Sequence, residues 1–369
     1  MTSKNTIEVS LTELMMIPGL CGYEGRVRAR IKHQLQALGL ATRTDRLGNL
    51  ITTLEGDPAA PSVMLFTHMD QLGFVVRKIE ADGFVRVERV GGVPERALLS
   101  QPVLFQIGEG RDLPGIIANK SHHATAPDEK YQVLPYQKLY VDTGFESAAA
   151  ARAAGIEVGT PIVYRPNVMN LGVDRIAGTA IDDRAGCAVL LEATRQLLAQ
   201  SDRPTIHVVF SVQEEFNLRG ALTAAQTLKP DIAIQLDLLL TGDTPDMADR
   251  TDVRLGGGPG MSLYSFHGRG TLNGTIPHPA LPALFEKSAQ SEGLSLQRSA
   301  QTGILTETSY VQLVGDGVAA IDIGFPCRYT HSALEVCDLN DLVGLTDLIV
   351  AALSGIDANF SLDRDEYPQ

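Results

Sequence analysis

Runs of apolar, largely β-branched residues that end in acids or a histidine recur along this chain, and each is followed by a stretch with helical spacing. The runs are "SVMLFT" (62–67), "TIHVVFSV" (205–212), "DIAIQLDLLL" (231–240) and "VAAIDIGF" (318–325). Between and after these runs, "RAGCAVLLEATRQLLAQ" (184–200), "RGALTAAQTL" (219–228), "HPALPALFEKSAQSEG" (278–293) and "LNDLVGLTDLIVAALSGI" (339–356) read as helices. Strands that alternate with helices bury both faces of a sheet and join parallel neighbours through crossovers. The pattern predicts an α/β fold, a three-layer sandwich with a mostly parallel mixed sheet flanked by helices.

Between about Gly73 and Tyr164 the texture changes. "GFVVRKIEADGFVRVERVGGV" alternates apolar and polar residues around "ADG", a hairpin signal, and "PVLFQIG", "LPGIIAN" and "QKLYVDTG" follow as short strands between turns. This predicts a small β-barrel-like domain inserted into the larger one. The expected division is a catalytic domain from residues 1–72 and 166–369, and an inserted β domain from 73–165. Near the start, "SLTE" (Ser10 to Glu13) fits a capping box that opens a helix. Val27, Ile31, Leu35 and Leu38 recur at helical spacing, which predicts an amphipathic helix over 24–38.

The charge balance narrows the function. A net charge of −13 argues against non-specific nucleic-acid binding, which needs basic patches to replace counterions. No apolar run reaches the roughly 20 residues of a membrane span, and the first residues have no apolar core of the signal-peptide kind. Cys21, Cys187, Cys327 and Cys337 show no CxxC spacing and read as reduced, buried thiols. A cytoplasmic protein without membrane or nucleic-acid partners is expected.

The polar residues at the strand ends carry the chemistry. His68 and Asp70 follow "VMLFT"; Asp182 and Asp183 precede a helix; Glu214 and Glu215 follow "HVVFSVQ"; Asp237 lies inside an apolar run; His331 follows "IDIGFPCRYT". Taken singly, His68 reads as a satisfied core histidine, the Asp182–Asp183 pair as a helix cap and the Glu214–Glu215 pair as solvated loop. Asp237 is harder to dismiss, because a carboxylate in an apolar run is costly unless it is paired or binds a cation. His207, mid-strand, reads as structural, and the His122–His123 pair falls in the inserted domain. Ligands of open α/β sheets gather at the carboxyl ends of the strands. Two histidines and three or more carboxylates meeting there suit a pair of divalent ions such as Zn²⁺, Co²⁺ or Mn²⁺. His68 and Asp70 share a face of an extended chain, so Asp70 can accept a hydrogen bond from the other ring nitrogen of His68. In the Glu214–Glu215 pair, one glutamate would bind metal and the other would handle a proton.

"THMDQLGF", "AIDDRAGC", "SVQEEFNLRGA", "GDTPD" and "RYTHSALEV", in this order, resemble the glutamyl aminopeptidase and tetrahedral aminopeptidase family of di-metal exopeptidases. The resemblance covers nearly the whole chain, including "LYVDTGFESAAAARAAGIEVGTPI". It implies that His68 and Asp237 hold one metal, Glu215 and His331 the other, and that Asp182 bridges them. It further implies Glu214 as general base, Asp70 as support for His68, and dimers packed through the β domain into a hollow tetrahedral dodecamer. The chain departs from the family at Gln71, where an acidic residue is common, and at "TGILTETSYVQL" (302–313), which replaces a Gly-Thr-Asp-Ala-like segment near the substrate pocket.

The resulting expectation is a di-metal aminopeptidase that removes N-terminal residues from short peptides through an activated water. A deacylase or amidohydrolase of N-acyl amino acids or amino sugars would use the same groups. A non-catalytic assembly or binding protein would keep the fold, but the complete set of side chains argues against it.

Overall fold

A computed structural model describes residues 2–267 and 274–367. Four parallel strands form the centre of a nine-stranded sheet, in the order Ile206–Ser211, Val63–His68, Ile232–Leu240, Ala319–Cys327. Leu50–Leu54 flanks them antiparallel on one side and Gly260–Phe266 on the other. Successive side chains of the central strands point to opposite cores, as the two-residue period of a strand requires. Leu65, Val208, Phe210, Ile234 and Ile323 enter one core, and Met64, Phe66, Val209, Ala233 and Ala320 enter the other. The helices Ser3–Met15, Gly25–Ala37, Ile181–Leu198, Ala280–Glu292 and Leu339–Ser354 supply the first core. Gly220–Leu228 and the short Thr308–Val311 supply the second. This is the predicted sandwich, with the mixed sheet buried between two helical layers.

Six antiparallel strands between Gly73 and Tyr164 close into a barrel with its own core, built on Phe74, Val76, Val87, Phe105 and Ile162. A smaller sheet follows: Val168–Leu171, Arg175–Gly178 and, from the far end of the chain, Glu335–Asp338. Its last pairing sets Glu335 opposite Gly178, two residues before Ala180.

One local expectation fails. Ser10 does not cap a helix; it lies inside the helix Ser3–Met15, buried, and its hydroxyl donates to Gln34 Oε1 at 3.2 Å. Glu13 pairs with Arg30 at 2.6 Å instead of reaching back. Thr2 is the N-cap and accepts from the Asn5 N–H. The apolar face Ile7–Leu11–Leu14 runs through "SLTE", so packing carries the helix past a sequence that offered a start. All four cysteines are free and buried. Among the described residues no helix is long and apolar enough to cross a membrane.

Candidate active site

Chain order explains where the site forms. Of the four parallel strands Val63–His68 comes first in the chain, and the later ones are laid on either side of it, which leaves a crevice at its carboxyl end. The register pairs Ser211 with His68, so Gln213, Glu214 and Glu215 lie directly beyond the end of the neighbouring strand. Asp237 points into the same crevice from the other neighbour, opposite Gly324. A Cβ on Gly324 would come within 1.9 Å of the Asp237 carbonyl oxygen, so only glycine lets the two strands pair there.

Asp182 is the centre of the arrangement. Its Oδ1 lies 3.0 Å from His68 Nε2 and its Oδ2 lies 3.5 Å from His331 Nε2. The Oδ2 atom also accepts from the Thr330 hydroxyl at 3.2 Å. Glu215 Oε2 is 3.7 Å from the same His331 nitrogen. Two triads of ligand-type atoms result, His68–Asp182–Asp237 and Asp182–Glu215–His331, each with its members within 4.8 Å of one another. They share Asp182. Both histidines present Nε2 inward, because Nδ1–H has a partner behind it: the Asp70 carbonyl at 3.2 Å for His68, and the Gly92 carbonyl at 3.0 Å for His331. Asp237 is held by Gln235 Nε2 at 3.0 Å and the Leu238 N–H at 2.6 Å.

The paired acids divide their tasks. Asp183, joined to Asp182 by a cis peptide, turns away and accepts from the Gly186 N–H at 3.0 Å and from the Thr67 hydroxyl. It caps the helix, and a Cβ on Gly186 would fall 2.3 Å from its Oδ2, which explains the glycine in "DDRAG". Asp70 stands behind His68 and has a second task. Its carboxylate is 3.5 Å from His68 Nδ1, but each of its oxygens accepts a backbone N–H at 3.1 Å, Oδ1 from Glu214 and Oδ2 from Glu215. Asp70 therefore fixes the loop that carries both glutamates. His122 and His123 lie on the barrel surface away from the crevice, and His207 bonds Thr53 at 2.9 Å.

The electrostatics are lopsided. Burial first, then Glu215, Asp237 and Glu307, raise Glu214 well above the usual carboxylate range against the pull of His68. Burial pushes Glu215 up to about 7, with Asp182 adding and His331 opposing. Asp237 is raised by burial and by Asp183 and Asp182. Burial alone would raise Asp70, but His68 and the two N–H groups hold it below its usual value. Among the described residues only the histidines pair with Asp182 and Glu215. Buried carboxylates in excess of nearby positive charge are what divalent cations relieve, and a set of imidazole nitrogens and carboxylate oxygens fits such ions.

Glu335 is a residue the sequence reading passed over. Fully buried, it accepts the Asp182 N–H at 3.0 Å and the His331 N–H at 2.7 Å. Glu307 is likewise buried and takes the Ser211 hydroxyl at 2.5 Å and the Ala221 N–H at 2.6 Å, anchoring both ends of the Glu214–Glu215 loop. The signal available for both was the one used for Asp237, a carboxylate inside an otherwise buried stretch. The crevice opens into a cavity of about 480 Å³, lined beyond the polar cluster by Leu218, Leu238, Leu240, Ile304, Leu305 and Tyr310.

A sheet-end crevice with shared His–carboxylate triads over a cavity this size has the layout of an enzyme active site. The comparison with known proteins names the family. Residues 48–348 match the M42 glutamyl aminopeptidase family, and the chain belongs to it. The SgcX protein of Escherichia coli (strain K12) is 36% identical over 362 residues, covering 98% of this chain and 96% of that one. Aminopeptidase APDkam598 from the archaeon Desulfurococcus kamchatkensis superposes with a TM-score of 0.89 at 31% identity, over 97% of each chain. The TET1 peptidase of Pyrococcus horikoshii, which can assemble into a tetrahedron or a large octahedral shell, gives 0.83 at 28% identity, over 94% of this chain and 99% of that one.

Proposed function

We propose that this chain is a di-metal aminopeptidase that removes N-terminal residues from short peptides. The observation that carries the reading is the split of the Asp182 carboxylate, one oxygen toward each histidine. His68 and Asp237 would hold one ion, Glu215 and His331 the other, and Asp182 both. Bound there, divalent ions such as Zn²⁺, Co²⁺ or Mn²⁺ would acidify a water molecule and polarise the scissile carbonyl. The chain's own groups do the rest. Glu214, lining the cavity beside the cluster, accepts the proton as the water oxygen adds to the carbonyl carbon. It returns the proton to the leaving amine as the C–N bond breaks. Asp70 keeps Glu214 and Glu215 in register through their main-chain N–H groups.

Among the described lining residues there is no Lys or Arg to pair with an acidic N-terminal side chain, and the cavity walls favour an uncharged one. A panel of aminoacyl anilides tests the reading. Unblocked substrates with apolar side chains should be cut, activity should vanish on chelation, and it should return with Co²⁺, Zn²⁺ or Mn²⁺. Activity in protein shown by elemental analysis to be metal-free would defeat the metal assignment. Cleavage of N-acetylated substrates alone would favour the deacylase reading.

Assembly belongs to the same proposal. The inserted barrel would serve as the dimerisation module, and the TET1 peptidase supports a tetrahedral shell of about twelve subunits. Light scattering should return a mass many times the 39.6 kDa of one chain. A monomer at micromolar concentration rules this out, and an isolated dimer removes only the shell.

A further inference from the structure

Two of the residues placed at the centre of the site are held by a third that lies behind them, outside the lining of the 480 Å³ cavity. Glu335 begins the strand Glu335–Asp338 and is 2% exposed. Its Oε2 accepts the Asp182 backbone N–H at 3.0 Å and its Oε1 accepts the His331 backbone N–H at 2.7 Å. The two N–H groups are 149 positions apart in the chain, as the residue numbers give. Both stretches of backbone need such an anchor. His331 has φ of 67° and Ala180, two residues before Asp182, has φ of 59°, left-handed values that non-glycine residues keep only where the surroundings impose them. No side-chain contact does this for His331 from the front, where its ring faces Asp182 and Glu215.

We infer that Glu335 is a positioning residue that sets the separation of Asp182 and His331, and with it the geometry of the cation seat they form with Glu215. The inference rests on the proposed reading that these side chains hold cations. Its logic is geometric. A carboxylate has two acceptor oxygens on one carbon, and here each is spent on a different stretch of backbone. An amide in its place keeps one acceptor and turns the other position into a donor that faces an N–H. The Asp182–His331 spacing then relaxes while every direct ligand remains.

Cobalt titration of the metal-free, full-length protein by calorimetry reads the effect directly. Wild-type protein is expected to take up two ions. Glu335→Gln should bind at least one of them about 10–100-fold more weakly, the usual consequence of disturbing a group behind a ligand. Glu335→Asp keeps both oxygens and should recover part of the loss. Thermal unfolding of the metal-free proteins separates a merely structural role: a lowered Tm with unchanged cobalt affinity overturns the inference. If Glu335→Gln does not fold, the Asp variant carries the test, and wild-type cobalt affinity in it also overturns the inference. Wild-type protein that takes up no cobalt defeats the functional reading, whereas two tight ions in wild-type and variant alike defeat this inference alone.

Discussion

Glu214→Gln is expected to keep its cations and its fold and to lose about 10²–10⁴-fold in kcat, with KM changed much less. The amide matches the glutamate in size and polarity but cannot take a proton. Glu214 is not a member of either ligand triad, so its loss removes no donor from them. Glu215→Gln is expected to fail differently. Glu215 is in the Asp182–Glu215–His331 triad, and a neutral amide is a poorer ligand for a divalent cation. Its activity should recover in part with excess metal, whereas Glu214→Gln should stay inactive at any metal concentration. Elemental analysis beside a metal titration of activity distinguishes the two. Metal lost from Glu214→Gln and retained in Glu215→Gln would reverse the assignment.

The other large effect belongs to Asp182→Asn. Asp182 is common to both triads, so one substitution should weaken both seats, while Asp237→Asn should weaken only the seat shared with His68. Changes behind a ligand typically cost 10–100-fold, so replacing a ligand common to two ions should cost at least about 10²-fold in kcat/KM. Stoichiometry is the telling measurement: fewer than two ions per chain in Asp182→Asn, and one in Asp237→Asn under metal-limited conditions. Two tightly held ions in Asp182→Asn would show that the carboxylate does not bridge.

Much of this was legible in the sequence because the signals were side-chain signals. Apolar runs marked the four parallel strands within a residue or two of Val63–His68, Ile206–Ser211, Ile232–Leu240 and Ala319–Cys327. What escaped was polar structure. Gln297–Thr302 pairs beside Gly260–Phe266 with Ser299 and Gln301 as its buried residues, so it offers no apolar period to read. "SLTE" carried a capping signature that the apolar face of a longer helix overrode. Glu335 and the carboxylate of Asp70 act on backbone N–H groups, which every residue but proline has, so no partner in the sequence advertises them.

The pairing of Glu335 with Asp182 has a consequence for the order in which this protein becomes functional. The contact joins positions 153 apart in the chain, and the Asp237 strand needs Ala319–Cys327 as its outer neighbour. Contacts this distant form late, after the entropy of closing the intervening chain has been met. During synthesis the barrel, complete by Tyr164, can close while the later strands are still unmade. A growing chain can thus own the module proposed for association well before it owns the proposed means to cut a peptide bond, which waits for His331 and Glu335.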